Sequence, residues 1–148
     1  MTFQEIADKL KGIATTTAPG ATFHRGRRAD TSLKSIDAET DLIFVEDTIE
    51  VRLMTDVGTE PWTIRMGFFR QDSPESEPME SNNQSGTEAR DTIFTTTLAT
   101  ARAYFEQLQT EVDWQFTSEP VLRQGTRILA GTFTGWVAEF TFLNVKEC

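Results

Sequence analysis

Hydrophobic and polar positions alternate with a two-residue period near the C-terminal end of the chain, over residues 127–146. Such a period is typical of a β-strand, and a strand of this length has to pair across most of a sheet. The segment therefore predicts the strand that closes the fold. One side of it carries Trp136, Ala138, Phe140 and Phe142, and the other carries Val137, Glu139, Thr141 and Leu143.

Two shorter segments with the same alternation precede it. Residues 42–55 open on the apolar run Leu-Ile-Phe-Val and continue as a strand, which Glu46 and Asp47 interrupt with a bulge or a turn. Residues 62–68 repeat the alternation, which predicts a second strand paired with the first across residues 56–61.

A third strand is predicted after the middle of the chain, at residues 114–122. Pro120 lacks a backbone N–H and restricts this strand to an edge or a bulge. Residues 123–126 are then expected to turn through Gly125 into the closing strand.

Helical spacing appears twice. Thr2 and Glu5 form a capping box that opens the first helix. A second helix is predicted at residues 87–111, with Ser85 and Glu88 as capping residues and a broad apolar side. The apolar face of the first helix consists of Phe3, Ile6, Ala7, Leu10 and Ile13 or Ala14.

The element order α-β-β-α-β-β predicts an α+β fold in one domain, residues 1–148, with an antiparallel sheet and two helices packed on one face. Residues 71–86 (QDSPESEPMESNNQSG) contain two prolines and little to bury. A loop of this length within a compact domain indicates a mobile or partner-binding segment.

The 148 residues carry a net charge of −9, distributed in stripes. Residues 37–60 hold eight acids against one arginine, and residues 72–91 hold six acids against one arginine, whereas residues 24–28 form a basic cluster. The overall charge disfavours wrapping of nucleic acid, and the stripes favour complementary contacts between copies or with a partner. The predicted docking residues are Arg25, Arg27, Arg28, Glu75, Glu77 and Glu80.

Most aromatic residues fall at inward strand positions, but the register leaves Phe69, Phe133 or Trp136 for an opposite face. If both faces of the closing strand carry aromatic residues, one of them needs a second burial surface. A neighbouring subunit would provide it, so Phe133 and Trp136 are predicted interface aromatics.

Little in the sequence suggests catalysis. The single histidine, His24, lies among arginines, and the single cysteine, Cys148, is the last residue. Neither gives an evident nucleophile–base arrangement or a zinc-ligand spacing. We predict no enzyme activity, catalytic residue, metal site or cofactor. An acidic cluster lacks the spacing of a calcium loop and indicates a solvated face; its members are Asp37, Glu39, Asp41, Glu46 and Asp47.

The longest apolar run, residues 42–45, is too short to span a membrane, and residues 1–12 have no apolar signal core. These features predict a chain that folds in the cytoplasm without a membrane partner.

The chain resembles the small neck proteins of tailed bacteriophages, especially the tail terminator (tail-completion) family. The resemblance rests on the element order, on the polar loop before the second helix, and on Leu-Ala-Gly-Thr-Phe at residues 129–133 followed by a long terminal strand. It implies a structural virion protein without catalytic residues that forms a ring, expected to be a hexamer. The ring would terminate the tail tube, join it to the head, and bind the tail tube protein and a neck adaptor. DNA would pass through it without specific binding.

Three alternatives stay open. The first is a neighbouring neck component, namely a head-completion or adaptor protein. The second belongs to a different class, a small carboxylate-dependent hydrolase, which would need two or more acids converging in a pocket. The third is a nucleic-acid-binding module, which would need His24 and the arginines exposed beside stacking aromatics.

Overall fold

The structure, a computed structural model, describes residues 2–26, 41–46, 50–51, 61–71, 84–111, 113–117, 119–128 and 133–144. The elements in chain order are α1 (Phe3–Thr17), β1 (Thr22–Gly26), β2 (Asp41–Glu46), β3 (Glu50–Val51), β4 (Pro61–Gln71), α2 (Gln84–Leu108), β5 (Trp114–Phe116), β6 (Val121–Ile128) and β7 (Phe133–Asn144). The strands form one sheet, mostly antiparallel, and the predicted α+β class is confirmed.

The capping box begins α1 as predicted. The Thr2 hydroxyl oxygen accepts a hydrogen bond from the Glu5 backbone N–H (3.2 Å), and the Glu5 carboxylate accepts one from the Thr2 N–H (2.9 Å). Two N–H groups without a partner inside the helix are thereby satisfied. The predicted apolar face is buried at Ile6, Ala7, Leu10, Ile13 and Ala14.

The strand β7 occupies the centre of the sheet. It pairs antiparallel with β4 over eleven residues, from Pro61↔Leu143 to Gln71↔Phe133. Its other side pairs with two strands in succession, β5 near Phe142 and β6 from Phe133 to Glu139. On the far side of β4 lie β2, which pairs with β1, and the short β3.

Four features of the sheet differ from the prediction. The sequence predicts a closing strand that begins at residue 127, but residues 127–128 lie in β6 and the closing strand β7 begins at Phe133. Residues 22–26 form a strand, β1, which runs parallel to β2, whereas the sequence indicated only a basic cluster there. The predicted third strand is two strands, β5 and β6. The predicted turn at residues 123–126 is wrong, because these residues lie in β6 and Gly125 pairs with Gly135.

The predicted polar loop is shorter than residues 71–86. Gln71 is the last residue of β4, and α2 begins at Gln84, three residues before the predicted helix start. Residues 72–83 lie outside the described part of the chain.

The main core lies between the helices and one face of the sheet, which we call the covered face. Phe105 of α2 packs edge to face against Phe140, with ring centroids 5.3 Å apart, and Trp114 stacks on Phe142 at 4.0 Å. Full burial of each such ring stabilises the fold by about 1.5–3 kcal/mol. The sheet contributes Ile43, Val45, Ile64, Met66, Phe68, Ala138, Phe140 and Phe142 to this core.

A buried hydroxyl joins the two helices across this core. The phenol of Tyr104 in α2 is fully buried and donates a hydrogen bond of 3.0 Å to the backbone carbonyl of Leu10 in α1. Burial raises the pKa of the Tyr104 phenol well above its ordinary value, because ionisation would place a charge in the apolar core.

The opposite sheet face, which we call the far face, carries a second buried cluster of Leu42, Phe44, Phe69 and Phe133. Two glycines make room for it. A Cβ on Gly67 would overlap the Phe69 ring, and a Cβ on Gly135 would overlap the backbone carbonyl oxygen of Phe68 and lie 2.9 Å from the Phe69 Cα. At Gly135 the neighbouring strand thus approaches the backbone itself.

We expect Gly135→Ala to lower the free energy of unfolding by about 2–3 kcal/mol, because the β4 backbone has to move away from β7. Gly12→Ala is the matched control: this exposed glycine of α1 has open space around it, and alanine there should stabilise the protein by about 0.5–1 kcal/mol. Urea unfolding of both variants measures the difference. Equal stability of the two variants would contradict the close approach at Gly135.

Tyr104→Phe should lower the free energy of unfolding by about 1 kcal/mol at neutral pH through loss of one buried hydrogen bond. The folded chain retains the phenol proton above pH about 10, where the unfolded chain releases it. This group's contribution to stability is therefore complete below pH about 10 and lost as the pH rises further. Tyr104 is the only tyrosine, so the ultraviolet absorbance of tyrosinate reports it directly. Ionisation of the folded protein at the ordinary tyrosine pKa would show that the phenol is not buried.

Candidate interaction surface

The structure describes one of the six predicted docking residues. Arg25 of β1 places its guanidinium over the Phe3 ring, 4.4 Å from the centroid, and donates a hydrogen bond of 3.2 Å to the Gln4 side-chain oxygen. This arginine therefore ties the β1 edge to the first turn of α1. Docking itself stays a prediction, because five of the predicted residues lie outside the described part of the chain: Arg27, Arg28, Glu75, Glu77 and Glu80.

The two predicted interface aromatics lie on opposite faces of β7. Phe133 is fully buried in the far-face cluster, and Trp136 lies on the covered face. The Trp136 indole N–H donates to the Phe94 carbonyl of α2 (2.9 Å), and the two rings pack edge to face at 5.9 Å. Both residues thus stabilise the single chain through contacts within it, and their role as interface aromatics stays a prediction.

The predicted acidic cluster is divided between the two faces. Asp41 accepts a hydrogen bond of 2.8 Å from Arg70, and this bond raises the pKa of the Arg70 guanidinium. Glu46 lies on the far face, and Asp37, Glu39 and Asp47 lie outside the described residues. Within the described ranges, no group of three or more His, Cys, Asp or Glu side chains could hold a metal ion.

The far face has an open concavity of about 620 Å³ beyond the buried cluster. Arg65 of β4 and Glu139 of β7 pair in register at its floor, and the Arg65 Nε lies 2.8 Å from the Glu139 carboxylate. Both side chains are about half exposed. The charged residues that line the concavity are Glu46, Arg65, Glu119, Arg123 and Glu139, and they stand beside Val121 and Val137.

The concavity is lined by charges of both signs. It contains carboxylates and guanidinium groups together, so their charges largely offset each other. Glu139 pairs with Arg65 at a half-exposed position, and such pairs stabilise by about 1 kcal/mol or less.

A second, smaller hollow of about 190 Å³ lies on the covered face between α2 and β6. Its apolar wall consists of Phe105, Pro120 and Leu122. The polar side chains of Arg102, Glu106 and Gln109 of α2 complete it. The strand β6 therefore has a hollow on either side, with Leu122 on the covered face and Val121 and Arg123 on the far face.

Two sheet edges expose apolar side chains. Among the described residues, the large hydrophobic side chains that are exposed are Val51 of β3 (38%) and Val121 of β6 (56%). Within the same ranges, β3 pairs with β4 alone and β6 pairs with β7 alone. The two valines thus mark opposite edges of one sheet, each with backbone groups that could pair further.

Sequence reasoning missed the concavity and the second hollow. Their residues come from strands and a helix far apart in the chain, and no motif joins them. The available signal was the outward position of Arg65 and Glu139 in otherwise apolar alternating strands, whereas Arg123 fell in a predicted turn. Such a signal shows where charge faces outward, but only the strand order shows which charges meet.

Comparisons with known proteins give no family for this chain, so a functional proposal rests on the sequence, the fold and the site. In the described ranges, neither helix has the length and apolar composition needed to cross a membrane. No protein-family model matches the chain, and no curated protein matches it either.

Proposed function

We propose that this chain is a structural subunit of the neck of a tailed bacteriophage. Copies of it form a ring that terminates the tail tube and joins it to the head. The support is the sequence resemblance to tail terminator proteins together with an α+β fold whose two helices occupy one face of the sheet. On this proposal the protein belongs to the virion.

The observation that carries the proposal is the presence of two unlike exposed edges on one sheet. A ring is built from heterologous contacts, in which two different patches of each copy meet. Val51 marks one such patch and Val121 the other. An isolated monomer usually protects its sheet edges, so edges with exposed valines favour assembly.

The charge pattern fits the same assembly. Arg25 extends from the β1 edge, and the sequence continues with Arg27 and Arg28, whereas acidic residues follow β4. Complementary charges accelerate encounter and fix register between copies. The net charge of −9 suits a channel through which DNA slides without binding.

We expect the purified protein to form rings, and we expect these rings to cap isolated tail tubes. Native mass at low and high salt, with tail tubes and portal complexes added separately, measures both properties. Capture by portal complexes instead of tubes would identify an adaptor. A chain that stays monomeric and binds neither assembly would contradict the neck proposal, and a metal-dependent rise in melting temperature would then favour the hydrolase.

Reversal of Arg27 and Arg28 together to glutamate should weaken ring assembly about tenfold at low salt and less at high salt, where screening is stronger. Arg25 is left unchanged because it contacts Phe3 and Gln4 within the chain. A chain that also carries Glu75, Glu77 and Glu80 as lysines should regain assembly.

Lys11→Glu is the control for this reversal, because Lys11 is an exposed α1 residue and the substitution changes charge in the same direction. Assembly that is unaffected by the double reversal, at low salt, would show that the basic cluster does not dock.

A further inference from the structure

We propose that two copies of this chain associate through their β6 edges, antiparallel and about a two-fold axis at Val121, so that one sheet runs through both copies. The partner is a second copy of this chain, and the contact is isologous, since the same residues of each copy meet. This inference goes beyond the proposed ring and does not rest on it.

The side chains along β6 are exposed in the single chain. Within the described ranges β6 pairs with β7 alone, and its register with β7 is regular from Val121 to Gly125. Val121 is 56% exposed, and Glu119, Arg123 and Gln124 are exposed as well. A regular edge of this kind can accept a further strand.

Two charges of opposite sign lie on either side of Val121. Glu119 and Arg123 line the far-face concavity together with Val121, two residues before it and two residues after it. Within the described ranges neither of them has an ion pair or a side-chain hydrogen bond. An extended chain separates residues four apart by about 13 Å, so the two charges do not pair within one copy. Glu139, in register with Val121, is already paired with Arg65 at 2.8 Å, which leaves Arg123 available to a carboxylate of another chain.

An antiparallel pair of β6 strands centred on Val121 brings these charges together. Glu119 of each copy then lies opposite Arg123 of the other copy, so the contact contains the charge pair twice. The two Val121 side chains lie opposite each other at the axis and remove apolar surface from water. Opposite charges across a strand pair stabilise it.

Other registers of two β6 strands lack this match. A pair centred on Arg123 would place the two arginines opposite each other, and a pair centred on Leu122 would place Arg123 opposite Val121. A parallel pair in register would bring Glu119 beside Glu119 and Arg123 beside Arg123. Like charges directly opposite each other destabilise a strand pair, so the charges select the antiparallel register centred on Val121.

The covered face agrees with the same register. A two-fold axis perpendicular to the sheet keeps the helices of both copies on one side. Pro120 of each copy then lies opposite Leu122 of the other, and these two residues belong to the apolar wall of the hollow between α2 and β6. The hollows of the two copies would meet at the axis, and the apolar surface of their walls would leave water.

Pro120 also limits the strength of the contact. It has no backbone N–H, so each copy offers one hydrogen-bond donor fewer than a strand without proline. The proposed ring joins the Val121 edge to a different patch of the next copy. The dimer and the ring therefore compete for one edge, and a weak dimer can open before the ring forms.

Charge reversal at the two positions tests the contact. Arg123→Glu and Glu119→Arg should each raise the dimer dissociation constant about tenfold, because each variant turns two opposite-charge pairs into two like-charge pairs. The chain with both substitutions should dimerise as the wild type does, and so should an equimolar mixture of the two single variants. Sedimentation over a concentration series at low salt, without tail tubes, measures the constant, and circular dichroism verifies that each variant is folded.

Lys11→Glu, which changes an exposed residue of α1, should leave the dissociation constant unchanged. Dimers that tolerate both single reversals would overturn the inference. If both single variants lose dimerisation and the folded double variant does not regain it, β6 contacts a different surface and the two-fold register is wrong. A wild-type chain that caps tail tubes but never forms dimers would overturn this inference and leave the neck function standing. Dimers that respond as expected but never bind tubes or portal would support the contact and contradict the neck function.

Discussion

The strand β7 has neighbours along nearly its whole length, and the rest of the structure depends on this arrangement. β4 pairs with it on one side, and β5 and β6 pair with it on the other. Because its residues alternate strictly, Ala138, Phe140 and Phe142 all face the helices. A shift of one residue would send these rings to the far face and bring Glu139 into the core. The pattern of one strand therefore fixes which face the helices cover.

The close approach of β4 to β7 at Gly135 makes this register more selective. A residue with a Cβ at that position would overlap the Phe68 carbonyl oxygen, so the pairing of Phe69 with Gly135 requires glycine. Phe69 and Phe133 then fill the far face beside it. Glycine in a strand usually weakens it, because it adds backbone entropy and packs no side chain. Here the lost side chain allows two buried aromatic rings, which offset that cost.

Elements defined by local pattern could be predicted from the sequence, and elements defined by pairing could not. The capping box at Thr2 and the alternation of β7 each act within a few residues. The first helix and the closing strand could therefore be predicted from the sequence. By contrast, β1 is five residues long and partly buried, and its strand state depends on β2 beside it. Gly125 is a turn residue by composition, yet pairing with Gly135 holds it in a strand. The hollows beside β6 depend on strand order, which no local pattern specifies.

Exposed valines on two sheet edges have a physical cost that the fold of one chain does not offset. Each Å² of apolar surface that stays in water forgoes about 25 cal/mol of the stabilising free energy that burial would give. An unpaired strand edge can also pair unspecifically with other chains. Edge strands of monomers usually carry a lysine, a proline or a bulge that blocks such pairing. In β6 the register shift follows Gly125, whereas the exposed Val121 lies in the regular part of the strand. The shift therefore does not block pairing of another strand at Val121. Selection for solubility alone would favour a charged residue at Val121 and at Val51. That both positions are apolar, although Glu119, Arg123 and Glu139 line the concavity beside Val121, is the feature that the proposed assembly would explain.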